Sequence, residues 1–389
     1  THDQMIKGDY PVVGSNGIIG YHNEFTTTCP CLSIGRSGSV GEVNYYETDC
    51  WAHNTTLYVD DFKKNDPKYL YYLLKKINLA YLHSGSVVPS LNRNYLHPIK
   101  IPFYDDILIQ QRIAAVLSSL DAKIELNNKI NRELEAAAKT LYDYWFVQFN
   151  FPDRNGKPYK SSGGKMVWNE QLKREIPEGW EVSKLSDTLR ILRGASPRPI
   201  DDYMSETGCP WIKISDATSI NHWFIIGTKE YIKESGVKSS RELQPGTLIL
   251  SNSASPAIPK IVQIRACVHD GWLIVDSYKN GLYNEFMLFY FENFRSKILN
   301  MGSGSIFKNL KTEYIKDLFI AIPPNNLLKK SQSIFDNIFK QVLANAMQNQ
   351  HLSSLRDWLL PMLMNGQVTV QEAEERISMV AEQEVGYGK

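Results

Sequence analysis

Residues 84–102, SGSVVPSLNRNYLHPIKIP, are repeated in part at residues 303–321, SGSIFKNLKTEYIKDLFIA. Both stretches hold Ser-Gly-Ser and an apolar pair, and they align along their whole length without a gap. The matched positions after the apolar pair include Leu91 and Leu310, Tyr95 and Tyr314, and Ile99 and Leu318. Self-similarity between such distant parts of a chain indicates an internal duplication. We therefore expect two versions of one fold in this chain of 389 residues.

A long helical pattern follows each copy. Apolar side chains recur at alternating steps of three and four from Leu117 to Trp145 and from Phe335 to Leu363, the spacing of helices that pack along a seam. Two asparagines interrupt the middle of each seam, and they occupy matching positions in the two copies. These residues are Asn127, Asn131, Asn345 and Asn349. A seam asparagine lowers stability but fixes register, because it requires a partner across the interface. We expect two antiparallel helices in register; the alternative is that each helix packs on its own domain.

The predicted fold class is α+β, with two α/β globules separated by two long antiparallel helices that form a coiled-coil spacer. The two copies would be related by a pseudo-twofold internal repeat. Short β-branched and aromatic runs, such as 57–59, 247–250 and 272–276, predict strands, and 67–82 and 284–299 predict helices. The predicted order is a first globule at 1–106, a helix at 107–150, a linker at 151–176, a second globule at 177–325, a helix at 326–375 and a tail at 376–389.

Composition and missing motifs exclude several function classes. Five cysteines, with no start typical of a signal peptide, indicate reduced thiols and a cytoplasmic protein. The chain has no phosphate loop and no His-Glu-x-x-His metal motif, and Ile322-Pro323-Pro324-Asn325 has the wrong flanks for an adenine methyltransferase. The spacing around Cys29 and Cys31 matches no common zinc site, so buried free thiols are expected there. We expect no catalytic residue, metal or cofactor in this chain.

Four segments resemble one family. They are Gln110–Phe146 (QQRIAAVLSSLDAKIELNNKINRELEAAAKTLYDYWF), Ile176–Val182 (IPEGWEV), Tyr10–Tyr21 (YPVVGSNGIIGY) and Leu355–Val368 (LRDWLLPMLMNGQV). The first and last resemble the helical regions of type I restriction–modification specificity subunits, and the other two resemble parts of their target-recognition domains. The counterpart of IPEGWEV in the first globule would fall before residue 1. We therefore expect the N-terminal part of the first recognition domain to be missing from the sequence given.

The resemblance implies a non-catalytic subunit that reads double-stranded DNA. In this family each recognition domain reads one half of an asymmetric bipartite target, and the helices set the half-site spacing. Two modification (methyltransferase) subunits dock on this framework and carry S-adenosylmethionine, and restriction (nuclease and translocase) subunits can join them. The alternative function is a coiled-coil scaffold without DNA readout.

Polar residues in or near turns are the candidate DNA contacts, because Asn, Arg, Lys and Ser hydrogen-bond base edges and phosphates. In the repeated stretch, the matched apolar positions predict core anchors and the unmatched polar positions predict readers. Any single candidate could instead be a solvated loop residue. Candidates in the first globule are Ser15, Asn16, Arg36, Ser37, Asn54, Ser90, Asn92 and Arg93. Candidates in the second are Lys213, Ser215, Asn252, Ser253, Lys260, Lys308, Asn309 and Lys311.

Overall fold

The structure is a computed structural model that describes residues 6–77, 79, 90–253, 255–300 and 310–386, without the side chains of 298–300 and 380–386. The described chain divides into two compact units. The first unit holds the residues up to Glu125 and those from Asn349 onward, and the second holds Leu126–Gln348. The Ser-Gly-Ser segments of the repeat lie outside the described residues.

The first unit begins with two small sheets of three strands each. Their strands are β1 (Tyr10–Gly14), β2 (Gly17–His22), β3 (Cys31–Gly35), β4 (Val43–Tyr46), β5 (Trp51–Ala52) and β6 (Thr56–Tyr58). Strand β1 pairs antiparallel with β2 and parallel with β5, whereas β3 lies between β4 and β6 and is antiparallel to both. Gly17, at the β1–β2 turn, has a φ of +105°, which glycine adopts without a Cβ clash.

Three helices follow: α1 (Pro67–Lys76), the short α2 (Arg93–Leu96) and α3 (Ile107–Tyr142). The Asp66 carboxylate accepts the Tyr69 N–H at 2.8 Å and caps α1, which begins with a proline. The extended backbone of Ile77 ends α1 before position 82, where the sequence predicts its end. Helix α3 begins where predicted and continues as a π-helical turn at Asp143–Val147.

The segment that the sequence predicts as a linker is folded. Strands β7 (Met166–Asn169) and β8 (Arg174–Pro177) form a hairpin, and Phe151 stacks on Trp180 with ring centroids 5.5 Å apart. Its glycines, prolines and serines predict a linker, and the structure has turns there. They do not show that aromatic packing holds those turns against the core of the second unit.

Two five-stranded sheets and a strand pair form the rest of the β structure described in the second unit. Their strands are β9 (Glu181–Lys184), β10 (Arg190–Arg193), β11 (Met204–Ser205), β12 (Cys209–Ile212), β13 (Phe224–Ile225), β14 (Tyr231–Ile232), β15 (Arg241–Leu243), β16 (Thr247–Ser251), β17 (Pro259–Val262), β18 (Ala266–Val268), β19 (Trp272–Asp276) and β20 (Phe319–Ile322). The sheet orders are β10-β19-β16-β17-β13 and β11-β14-β12-β18-β15, and β20 pairs with β9. Leu248, Leu250 and Leu273 are fully buried in the core against the first of these sheets.

The remaining helices are α4 (Leu185–Thr188), α5 (Ile214–Thr218), α6 (Glu234–Val237), α7 (Asn284–Asn300), α8 (Thr312–Lys316), α9 (Asn325–Met364) and α10 (Val370–Gly386). The prediction of one helix over 326–375 is wrong, because α9 ends at Met364. Gly366 has a φ of +70°, which ends the helix. Thr369 and Glu372 then exchange hydrogen bonds as a capping box and start α10. Apolar residues keep a helical spacing across this break, so the spacing alone does not predict it.

In the second unit, α3 and α9 meet through buried amides. The Asn345 amide donates to Asn131 Oδ1 at 2.8 Å, and the Asn131 amide donates to the Val342 carbonyl at 3.3 Å. Asn127 donates to Gln348 Oε1 at 2.6 Å. Residue numbers rise along α3 as they fall along α9, so the two segments are antiparallel here. Asn349 belongs to the first unit and is half-buried.

In the first unit, the same two helices share an apolar core. Leu117 and Leu120 of α3 are buried with Leu359 and Leu363 of α9, and α1 and α10 contribute to the same cluster. One ion pair joins the helices at its edge. Arg356, a seam position, donates to Asp121 Oδ1 at 2.7 Å, and the Tyr72 hydroxyl donates to Asp121 Oδ2 at the same distance.

Three strand pairings of the first unit recur in the second. Gly35 pairs with Thr56 between β3 and β6, and Ser251 pairs with Trp272 between β16 and β19, so one constant offset in numbering relates the two pairs. The pairing of β3 with β4 recurs at this offset as β16 with β17. The parallel pairing of β1 with β5 recurs as β12 with β18. The duplication therefore extends well beyond the repeated stretch in the sequence.

Candidate nucleic-acid interface

The end of β3 brings several first-unit candidates together. The Arg36 N–H donates to the Thr55 carbonyl at 2.8 Å, and the Leu91 N–H donates to the Arg36 carbonyl at 2.8 Å. Ser37 and Ser90 form a β-bridge beside them. The Arg36 side chain is exposed, and Ser37 and Ser90 are half-buried. The repeated stretch thus joins the sheet at the point where β3 ends.

The other first-unit candidates lie on turns and a helix start. A Cβ added at Gly35 would lie 2.7 Å from the Ser15 carbonyl oxygen, so the β1–β2 turn rests against the end of β3. Asn16 and Asn54 are exposed. The exposed Asn92 accepts the Asn94 N–H at 3.0 Å and caps α2, whose first residue is the exposed Arg93. Asn92 therefore has a structural role that the sequence prediction did not assign.

The end of β16 repeats this arrangement in the second unit. The Asn252 N–H donates to the Gly271 carbonyl at 2.9 Å, and the Leu310 N–H donates to the Asn252 carbonyl at 2.7 Å. We call each of these places a strand tip. The first strand tip consists of Arg36, Thr55 and Leu91. The second consists of Asn252, Gly271 and Leu310. Backbone hydrogen bonds at matched positions define both strand tips, so the scaffold is shared and only the side chains differ.

A groove of about 870 Å³ opens beside the second strand tip. Its lining includes the candidates Lys213, Ser215 and Ser253 together with Arg198 and Asp270. A second cavity, of about 380 Å³, is lined by Asn252, Lys311 and Arg193 among others. The structure therefore groups five of the eight second-unit candidates around one strand tip. Arginine and lysine in such grooves attract phosphates.

Two second-unit candidates are buried. Lys260 is 8% exposed, and its ammonium donates to the His222 carbonyl. Burial lowers the pKa of Lys260 to about 8. Asn252 is 5% exposed, and its amide donates to the Asp270 carbonyl at 3.2 Å. Lys260 is thus held inside the fold, away from the groove. Lys308 and Asn309 lie outside the described residues.

The sequence prediction did not select the two histidines next to the strand tips. His53 and His269 are related by the same offset as the strand pairs, and each follows the strand that pairs in parallel with β1 or β12. The Gly271 N–H donates to His269 Nδ1 at 2.9 Å, and the Thr55 N–H donates to His53 Nδ1 at 3.4 Å. Burial lowers the pKa of His269. The equal spacing from β3 and β16 is the signal that could have found this pair.

The predicted core anchors of the repeat are only partly buried. Leu91 and Leu310 are 0% and 4% exposed, as a core role requires. Tyr95 and Tyr314 are 51% and 46% exposed, so the prediction of a core role for these tyrosines is wrong. Each lies on a short helix, α2 or α8, that turns the tyrosine toward solvent.

The cysteines are free thiols, and Cys29 is exposed whereas the other four are buried. Burial raises the pKa of Cys31 to about 12. Among the described residues, no group of three or more His, Cys, Asp or Glu side chains is placed to hold a metal ion. None of the described helices is long and apolar enough to cross a membrane.

Comparison with protein families gives one match that covers most of the chain. The family model described as "Type I restriction modification DNA specificity domain" matches residues 3–136 and 177–353. These two matched segments include both strand tips.

Known relatives agree with this match. The chain is 28% identical over 314 residues to the type I restriction enzyme MjaIX specificity subunit of Methanocaldococcus jannaschii, covering 78% of this chain and 70% of that protein. It is 24% identical over 316 residues to the HindI specificity subunit of Haemophilus influenzae, covering 67% of each. The fold is similar to the crystal structure of a type I restriction–modification S subunit from M. genitalium. That similarity has a TM-score of 0.60 at 17% identity and covers 93% of this chain and 91% of the other.

Proposed function

The chain belongs to the type I restriction–modification DNA specificity family, and from this membership we propose that its two recognition regions each read one half of an asymmetric, interrupted DNA target. In this proposal the region that ends in the first strand tip reads one half-site, and the region that ends in the second reads the other. The helices α3 and α9 set the spacing between the half-sites.

The observation that carries the proposal is the shared scaffold of the strand tips with unlike side chains. The exposed Arg36 in the first unit stands where the buried Asn252 stands in the second, with the same two backbone hydrogen bonds. Asn92 and Lys311 differ in the same way, each directly after the matched leucine. A backbone that is repeated with different polar side chains supports two readers of different sequences, because side chains on base edges carry specificity.

In our proposal the partners of the chain are double-stranded DNA and two modification (methyltransferase) subunits. Exposed apolar side chains on the second-unit segments of the two helices support a docking role. Leu126 and Ile130 of α3 are 50% and 38% exposed, and Met347 of α9 is 46% exposed. A scaffold without DNA readout would also explain these side chains, but it would not explain why the two strand tips repeat one backbone with unlike polar side chains.

The chemistry of the complex, in this proposal, belongs to the partners. The modification subunits bind S-adenosylmethionine and flip the target adenine out of the duplex to methylate it. Restriction subunits add the nuclease and translocase activities. The chain itself supplies recognition and no catalytic residue.

Reconstitution tests this proposal. We expect the chain with its modification subunits to bind duplex DNA. The logarithm of the binding constant should fall linearly with the logarithm of the salt concentration. Methyl transfer from S-adenosylmethionine should require both components, and the chain alone should transfer none. Sustained transfer by the chain alone would contradict the assigned role. If the modification subunits bind DNA equally well without this chain, the scaffold function is favoured.

A further inference from the structure

The turn after each matched histidine is built the same way in both units. The first turn reads His53-Asn54-Thr55-Thr56, and the second reads His269-Asp270-Gly271-Trp272. The N–H of the fourth residue donates to the histidine carbonyl, at 3.0 Å in the first turn and 3.2 Å in the second. The N–H of the third residue donates to histidine Nδ1. The second residue of each turn, Asn54 or Asp270, therefore occupies an equivalent backbone position.

The backbone of the second turn is held from two sides. Arg193 Nε donates to the Asp270 carbonyl at 2.9 Å, and the Asn252 amide donates to the same carbonyl at 3.2 Å. The third residue of the turn, Gly271, accepts the Asn252 N–H. These contacts fix the position of the Asp270 Cα and do not involve its carboxylate. A side chain on such a fixed backbone can discriminate between ligands, because little reorganisation is needed on binding.

The interactions of the Asp270 carboxylate contribute little to the stability of the fold. Its one ion pair among the described residues joins Arg193 Nη2 and Asp270 Oδ2 at 4.0 Å, and the two side chains are 61% and 49% exposed. An exposed pair at this distance contributes about 1 kcal/mol or less. The Ser196 hydroxyl donates to Asp270 Oδ1 at 3.3 Å, which is a long contact.

The charged residues of the groove indicate which part of a DNA duplex the Asp270 carboxylate would contact. Arg198 and Lys213 line the same groove and attract a polyanion, but Asp201 also lines it and Lys213 is paired with Glu230 at 2.5 Å. A carboxylate facing a phosphate would oppose this attraction. Facing a base edge, however, it would accept a hydrogen bond from an exocyclic amine, the N4 of cytosine or the N6 of adenine. The Asp270 carboxylate therefore fits a base contact and disfavours a phosphate contact.

We infer that Asn54 and Asp270 are specificity-determining residues that make the two half-sites different. Asp270 accepts a hydrogen bond from an exocyclic base amine in the half-site of the second region. Asn54 presents an amide at the equivalent position of the first region, where adenine N6 and N7 match both its donor and its acceptor. The inference rests on the proposed function and deepens it.

Selection from a randomised duplex library, with the chain and its modification subunits, tests the inference. The variants are Asp270→Asn, which keeps the shape and removes the charge, and the reciprocal Asn54→Asp. The matched control is Asp317→Asn, because Asp317 is an exposed acid paired with Lys184 and does not line the groove. We expect Asp270→Asn to change or relax one base of the second half-site by about 5- to 150-fold, the discrimination of one good contact. Asn54→Asp should alter one base of the first half-site only.

The outcomes separate the inference from the proposed function. A wild-type complex that selects no bipartite motif would remove the proposed function. A bipartite wild-type motif that stays unchanged in both variants would overturn the inference alone. Uniform loss of binding in Asp270→Asn, with an unchanged unfolding temperature, would also overturn it, because Asp270 would then organise the groove and read no base. An altered base in one half-site, with Asp317→Asn like the wild type, would support it.

Discussion

Glu135, on α3, carries a carboxylate in the second unit that interacts with Lys260 and Glu292. One of its oxygens, Oε1, is buried without a hydrogen-bond partner among the described residues. Burial raises the pKa of Glu135 to about 7, although the charge of Lys260 and a hydrogen bond from the Trp223 backbone act in the opposite direction. Burial also lowers the pKa of the nearby His222 to about 4. The second unit thus contains buried ionisable groups whose protonation is coupled to folding.

This burial predicts a specific pH dependence of stability. Between the ordinary pKa of 4.5 and about 7, the folded state binds more protons at Glu135 than the unfolded state does. Glu135 should therefore contribute a fall of about 2 kcal/mol in the free energy of unfolding as pH rises through this window, opposite in sign to the contribution of His222. We expect Glu135→Gln to remove that part of the slope in urea unfolding at several pH values. Glu133→Gln, at an exposed position of the same helix, should keep the wild-type slope. Equal slopes in all three proteins would contradict this account.

Single residues also show which contacts the sequence predicts and which it does not. Lys213, Ser215 and Ser253 are candidates because they are polar and lie near turns, and the structure brings them to one groove. Lys260 meets the same criteria but is buried, because it lies on a strand whose residues are all buried. His53 and His269 could be found only through the strand pairing that makes them equivalent.

At the scale of the elements, the seam of α3 and α9 follows from the sequence. The heptad spacing predicts both helices, and the central asparagines predict a polar contact between them. Asn131 and Asn345 make that contact in the second unit. The strand pairs are different, because β3 and β16 share few identical residues, CLSIG against TLILS. Their equivalence is carried by backbone hydrogen bonds, which many sequences can form.

The seam amides lead to a test by double-mutant cycle. In Asn345→Leu the Asn131 oxygen stays buried without its donor, so unfolding should require about 1–3 kcal/mol less free energy. Adding Asn131→Leu should recover much of this loss, because the seam is then apolar on both sides. Denaturant unfolding measures each variant, and the exposed Asn337→Leu serves as the control. Additive losses in the double variant would show that the two amides are not coupled.

For the molecule as a whole, the duplication has one functional consequence. Two strand tips with the same backbone and different side chains should make one chain read two different half-sites. The sequence predicted this organisation from a short repeat and two helices, together with the family resemblance. It could not predict which bases are read, because direct readout depends on how a few side chains face the groove.

Methylome sequencing of cells that express this chain with its modification subunits tests the central claim most directly. We predict one methylated motif with two unlike specified halves and an unspecified gap between them. Methylation should be lost when the chain is omitted. A continuous short motif, two identical half-sites, or no methylation that depends on this chain would contradict the account.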